Sequence, residues 1–199
     1  MAAGGKLRET EIKLPLPDAG RGRRLLRDAG FRASRRRVHE QNTVFDTRDR
    51  RLQRRGELLR LRTAGRQSIL TFKGPALRGR HRSRMEIEVE LSDAATARMI
   101  LLSLGYKPVF WYEKYRTEYR RKGWPGLVTL DETPIGVYLE LEGAPDWIDR
   151  VAETLGYSQE LYITSSYGDL FRQRQRRTGG IEVRMAFKEG GRRNRGAGR

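Results

Sequence analysis

The chain contains no cysteine, which excludes disulfide cross-links, thiolate metal sites and a thiol nucleophile. It has no apolar run long enough to cross a membrane as a helix, and the opening stretch Met1–Lys6 has no signal-peptide core. Histidine is scarce: His39 and His81 stand apart in arginine-rich segments and read as ordinary surface residues rather than a metal-binding pair. The glycine-rich GRG and GGR runs lack the spacing of a phosphate-cradling P-loop and read as flexible loops. These absences leave a soluble protein, expected in the cytoplasm and not at a membrane, whose chemistry rests on carboxylates, amines and guanidinium groups.

What is abundant is charge. Of 199 residues, 34% are charged and 37% hydrophobic, a polar mixture that nevertheless suffices for one domain with a real core. The formal net charge of +17 calls for an anionic partner, and its distribution is uneven. Arg172–Arg199 carries ten Lys or Arg and two Glu, so +8 sits in the last stretch and +9 in the rest. The domain is therefore placed at 1–177, with 178–199 as a basic tail expected to be disordered and capable of weak nucleic-acid binding. Within it, the IEVRMAF run at 181–187 reads equally as a strand or as unstructured.

In the body of the chain, charged and apolar residues alternate with the period of a strand. ETEIKL puts Glu9, Glu11 and Lys13 on one face and Thr10, Ile12 and Leu14 on the other. LLRLR does the same with Arg60 and Arg62, ILTFK with Thr71 and Lys73, and RMEIEVEL with Arg84, Glu86, Glu88 and Glu90. EKYRTEYR aligns Lys114 and Arg116, VTLD presents Asp131, and YLELE aligns Glu140 and Glu142. With NTVFDT around Val44 and Phe45, eight strands are expected.

Three of these strands open a repeated unit of Glu-x-Glu, a helix start and a closing Gly-aromatic pair. The expected caps are Asp18, Ser92 and Asp146, and the stops Gly30-Phe31, Gly105-Tyr106 and Gly156-Tyr157. A fourth helix is expected at 167–176. Helices of this kind cover the apolar strand faces. Two architectures then fit: an open sheet whose charged faces meet water, or a closed barrel whose charged faces line a passage.

The ordered series of motifs resembles the CYTH family, also called triphosphate tunnel metalloenzymes. Its Glu-x-Glu-x-Lys hallmark corresponds to Glu9, Glu11 and Lys13. FDT at 45–47, Leu52 and Gly56, the Arg60/Arg62 pair, LTFKGP with Lys73, RMEIE, EKYR, LDE, LELE and SSYGDL follow in order from Lys6 to Arg172. The resemblance implies an α+β fold: a closed eight-stranded antiparallel β-barrel, the triphosphate tunnel, with helices packed outside. It departs from cyclase-like relatives at Asn42 and Val44, where many carry an acid and an aromatic residue. FDT is closer to the hydrolase branches, whereas LTFKGP and the compact length resemble short cyclase-like members.

On this reading Lys13, Arg60, Arg62, Lys73, Arg84, Lys114 and Arg116 hold a small-molecule triphosphate. Glu9, Glu11, Glu86, Glu88, Asp131, Glu140 and Glu142 are the metal ligands. Seven bases and seven acids sum to zero, a poor match for an anion of roughly four charges. A divalent cation bound by an all-oxygen set, Mg2+ or Mn2+, supplies the difference. Lys73, Glu9 and Glu11 are the expected catalytic groups, with Lys73 orienting the nucleophile. The expected reaction is metal-dependent hydrolysis of an inorganic, nucleoside or other organic triphosphate. A class IV adenylate cyclase is the alternative within the family, and a non-catalytic polyphosphate or nucleic-acid binder the alternative outside it. The sequence specifies no oligomeric state.

Overall fold

A computed structural model describes residues 8–77, 79–180 and 183–188. In chain order the elements are β1 (Arg8–Leu16), α1 (Ala19–Asp28), β2 (Arg32–Asp46), α2 (Arg51–Arg54), β3 (Leu58–Ala64), β4 (Gln67–Lys73) and β5 (Arg82–Leu91). There follow α3 (Ala94–Ser103), β6 (Lys107–Arg121), β7 (Trp124–Thr133), β8 (Gly136–Glu142), α4 (Pro145–Thr154), α5 (Tyr167–Thr178) and β9 (Arg184–Met185).

Hydrogen bonding decides between open sheet and barrel. The strands run β2–β3–β4–β5–β1–β8–β7–β6, and β6 pairs back onto β2 from Arg32↔Arg120 to Asp46↔Lys107. All eight pairings are antiparallel, so the barrel is closed. Closure sends one face of each strand inward and the other outward.

Here the apolar face is the outer one. Ile12, Leu14, Val128, Leu130, Leu139 and Leu141 are essentially inaccessible because α1 and α4 cover them with Leu26, Trp147, Ile148 and Val151. Close approach of α1 depends on Gly22, where an added Cβ would lie 2.6 Å from Leu16 and 2.8 Å from Leu130. On the other side Leu101 of α3 packs on Phe45 and Leu61. The core thus lies outside the barrel, under the helices, while Met85, Ile87 and Val89 of β5 stay exposed; the interior is left to polar groups.

Two of the expected caps need correction. Asp18 does cap α1, accepting from the Arg21 N–H at 2.8 Å. In α3 the cap is Asp93, which accepts from Ala95 N–H at 2.8 Å, one residue beyond Ser92. In α4 no side chain caps: Pro145 opens the helix, where its missing N–H costs nothing, and Asp146 lies in the first turn. Gly30, Gly105 and Gly156 end the helices with φ of 81°, 87° and 81° as expected. The fourth helix runs two residues further than expected, from a Ser166–Asp169 capping box to Gly179.

Part of the segment assigned to the tail is packed on the barrel. β7 pairs with β6 only from Tyr115 onward, and β9 runs parallel to the preceding stretch of β6, with Trp111↔Arg184 and Tyr112↔Met185. Met185 is fully buried against Tyr112, Tyr167 and Phe171. Residues 189–199 lie outside the described residues. Among those described, no helix is long and apolar enough to cross a membrane.

Candidate active site

The barrel encloses a cavity of about 760 Å³, the size range of organic ligand sites. Thirteen of the fourteen charged residues singled out from the sequence line it, the exception being Asp131. Period-two alternation brings them there: each strand that turns its apolar residues to the helices turns its charges to the lumen.

The carboxylates cluster on one side of the lumen, interspersed with Lys13 and Arg84, and Glu40 lies among the cations opposite. Glu86 and Glu88 lie on β5, Glu9 and Glu11 on β1, Glu140 and Glu142 on β8, and these three strands are neighbours. In the circular order of eight, the strands facing them are β6, β2 and β3. Lys114 and Arg116 come from β6, Arg60 and Arg62 from β3. A carboxylate wall therefore looks across the lumen at a wall rich in cations.

Dense pairing makes burial of these charges tolerable. Lys13 Nζ lies 3.2 Å from both Glu11 and Glu140, and Lys73 Nζ lies 2.6 Å from Glu9 and 2.9 Å from Glu86. Burial opposes ionisation of Glu9, but Lys73 and Arg84 overcome it and hold its carboxyl down at about 2. Burial and the adjacent Glu9 push Glu86 up to about 7 against the pull of Lys73. Glu140 is held well below the carboxylate range by Arg116, Lys13 and Lys114 despite its burial; Arg116 Nη2 contacts it directly.

Asp131 sits behind the lining, completely inaccessible. It accepts two bonds from Arg116 at 2.7 and 2.6 Å, one from Lys114 at 2.6 Å and one from the Tyr167 hydroxyl at 2.9 Å. Both its oxygens are therefore engaged by side chains that reach the lumen. The Tyr167 ring in turn lies 5.2 Å from Lys13 Nζ and 5.1 Å from Lys114 Nζ.

The structure adds residues that sequence reasoning passed over. Glu40 is 3% exposed and lies 3.7 Å from Lys114 and 3.9 Å from Arg62; burial opposes its ionisation, yet these cations and Arg116 hold it at about 2. Asn42 is fully buried, and neither of its amide atoms has a hydrogen-bond partner among the described residues. Tyr112 and Arg50, unlike Glu40 and Asn42, line the cavity directly, and Arg50 adopts a left-handed φ of 58°. Counting back from Val44 by twos leads to Asn42 and Glu40; the arginine run before them hid the strand.

Both histidines are partly exposed and each pairs with a carboxylate. His39 Nε2 is 2.7 Å from Glu113 and His81 Nε2 is 2.8 Å from Asp149. Asp46 of the FDT segment accepts from the N–H groups of Thr47, Leu52 and Gln53 at 2.7–3.0 Å, so this part of the motif fastens the α2 turn.

The donor set suits a hard divalent cation: six carboxylates on three adjacent strands, with Glu11 directly opposite Glu142 in register. As arranged, no three acidic or imidazole groups among the described residues converge closely enough to hold a metal. Lys13 and Lys73 stand between the carboxylates instead.

A family model described as the CYTH domain matches residues 7–167. A Methanocaldococcus jannaschii protein named "Putative adenylate cyclase" is 30% identical over 172 residues, covering 81% of this chain and 97% of its own. A Pyrococcus horikoshii protein of solved structure aligns with a TM-score of 0.70 at 25% identity over 83% of this chain and 99% of its own. A Hippeastrum protein, described as a putative adenylyl cyclase with a dominant triphosphatase activity, aligns at 0.63 with 21% identity over 87% and 97%.

Proposed function

The chain belongs to the CYTH family, and on that premise we propose that it hydrolyses a triphosphate held lengthwise between the two walls of its tunnel, with Mg2+ or Mn2+ as cofactor. The observation that carries this reading is the facing of carboxylate strands β5, β1 and β8 by the cationic strands β6 and β3. A lining of one sign would serve simple anion capture; a lining that sets clustered carboxylates opposite cations serves an anion that arrives with cations.

Arg60, Arg62, Lys114 and Arg116 take the phosphate oxygens from one side. The guanidinium groups match them two at a time and the ammonium as a point charge. Asp131 fixes Lys114 and Arg116 in place, so their positive charge is arranged before the substrate enters. Lys13, Lys73 and Arg84 lie on or beside the acid wall, where they hold its carboxylates and reach the same lumen. Glu9, Glu11, Glu140 and Glu142, with Glu86 and Glu88 adjoining, would hold a divalent cation, which would supply positive charge to the phosphate oxygens. Lys73, between Glu9 and Glu86, is placed to orient the attacking water. Little covalent chemistry is asked of the protein, because phosphoryl transfer is accelerated chiefly by alignment and charge neutralisation.

Cyclisation of ATP is the second reading, favoured by the name of the Methanocaldococcus jannaschii relative. It makes a further demand, that the ribose 3′-oxygen be held about 3 Å from the α-phosphorus. Incubating the protein with ATP and Mg2+ or Mn2+, and resolving the products by chromatography, separates the two. ADP with orthophosphate is expected; cyclic AMP with equimolar pyrophosphate would establish the cyclase.

A further inference from the structure

Two tyrosines hold charged groups of the tunnel, and both pack on the same residue. The Tyr167 hydroxyl donates to Asp131 Oδ2 at 2.9 Å, and Asp131 in turn holds Lys114 and Arg116. Tyr112, which lines the lumen, accepts at its hydroxyl from Arg60 Nη1 at 3.4 Å. Met185 is fully buried against both rings, with Phe171 completing the cluster.

Met185 lies beyond the stretch that the family model matches, which ends at residue 167. Strand geometry brings it to the tyrosines. β6 begins at Lys107, but β7 joins it only from Tyr115; among the described residues, β9 is the strand that pairs with this edge before that point. Side chains alternate along both strands, so Met185 falls beside its register partner Tyr112, and Arg184 beside Trp111, whose ring its guanidinium covers at 4.3 Å. The backbone is pinned on either side of Met185. The Val183 carbonyl accepts from the Trp111 N–H at 3.1 Å, and the Phe187 N–H donates to Glu113 Oε1 at 2.9 Å. The other oxygen of Glu113 meets His39 of β2.

A tyrosine ring swings about χ1 and χ2, so the place of its hydroxyl is set by what packs on the ring. An unbranched thioether is suited to filling the irregular gap between two rings. Shortening it would leave a void on that side of both, and the contacts that fix them would be lost outright.

We propose that Met185 is a positioning residue for the cations of the tunnel: wedged between Tyr112 and Tyr167, it fixes Arg60 through the first and Asp131, with Lys114 and Arg116, through the second. The C-terminal segment is then a strap that completes the site from outside the barrel. Its effect on turnover rests on the triphosphate reading above; its effect on the side chains does not.

The test therefore has two arms, both on the full chain: wild type, Met185→Ala, Met185→Leu and Phe187→Pro, which takes away the N–H that pins the strap to Glu113. The first arm is nitrogen NMR of the Arg116 Nε–H, donated to Asp131 at 2.7 Å, without ligand. Its exchange with solvent should quicken at least about tenfold in Met185→Ala and in Phe187→Pro, while backbone amides of β1 and β8 exchange as in the wild type; Met185→Leu, of similar volume, should restore the slow rate. The second arm is tripolyphosphate turnover in Mg2+, where kcat/KM should fall about tenfold or more in Met185→Ala and recover in Met185→Leu, since a displacement of about 1 Å can cost about 100-fold. Unchanged Arg116 exchange in a folded Met185→Ala or Phe187→Pro chain overturns the proposal. So does a uniform quickening that includes β1 and β8, which would make Met185 a stabiliser of the whole fold. Wild-type protein that leaves tripolyphosphate intact would refute the triphosphate reading alone, and the exchange rates would still decide the role of Met185.

Discussion

Glu11 and Glu142 stand directly opposite each other across the β1–β8 pair, both lining the tunnel. Like charges in this relation destabilise a sheet. Two residue pairs further along, Lys13 faces Glu140 and bridges it to Glu11. A strand pair built this way gains from a cation placed against its carboxylates.

Added Mg2+ or Mn2+ should therefore raise the melting temperature of the protein, and EDTA should reverse the rise. Glu11→Gln and Glu142→Gln should each remove most of it, because stabilisation by a ligand follows its affinity. An unchanged rise in both variants, followed by differential scanning fluorimetry, would move the cation elsewhere.

Glu40 is a buried anion among cations, and Glu40→Gln leaves Lys114 and Arg62 without their nearest compensating charge on β2. The expected loss of stability in urea unfolding is about 3–5 kcal/mol, the range for breaking one partner of a buried pair. Tripolyphosphate should restore more stability to the variant than to the wild-type chain, since it brings negative charge to the same cations. Equal stabilisation of both would remove Glu40 from the electrostatics of the site.

Asp131 was expected from sequence among the metal ligands, whereas its oxygens are engaged by Arg116, Lys114 and Tyr167. As an anchor for the cations, Asp131→Asn should lower kcat/KM by about 100-fold or more, on the scale of a lost charge-positioning group, with Mg2+ affinity nearly unchanged. A tenfold or greater loss of Mg2+ affinity, measured by calorimetry, would instead make it a ligand.

Acid and base should destabilise the metal-free protein for different reasons. Glu9 and Glu40, held at about 2 in the folded state, contribute stability that is full above their unfolded value near 4.5 and is lost as pH falls toward 2. Glu86, raised to about 7, acts in the opposite sense: the folded state keeps a proton that the unfolded chain has released, so stability falls as pH rises from about 4.5 to 7. Thermal melts in EDTA should peak near pH 5, and Glu86→Gln should abolish the decline on the alkaline side alone. A decline that survives in Glu86→Gln would assign it to another group.

Much of the barrel could be read from the chain because period-two alternation of Glu, Lys and Arg with Ile, Leu and Val is unambiguous in β1, β3, β4, β5 and β8. The long β2 was legible only around Val44 and Phe45. Its first half, RASRRRVHEQ, carries register shifts at Ala33/Arg35 and Arg35/Val38, and a bulge breaks the alternation on which the reading depends. Glu40 was missed with it. Asp131 could be assigned to the charged face, but not its depth, which follows from the packing of Tyr167 at the start of α5. The pairing of β9 with β6 was hidden for another reason: it is a two-residue parallel contact with no turn or repeat to announce it.

The central claim, that the two walls hold a triphosphate for metal-dependent cleavage, is tested most directly by phosphorus NMR of tripolyphosphate with the protein and Mg2+ or Mn2+. Orthophosphate and pyrophosphate should appear in equal amounts, stop on addition of EDTA, and be lost in Glu11→Gln and in Glu140→Gln that keep the fold. Tripolyphosphate that stays intact beside folded wild-type protein, or cleavage that continues undiminished in EDTA, would contradict it.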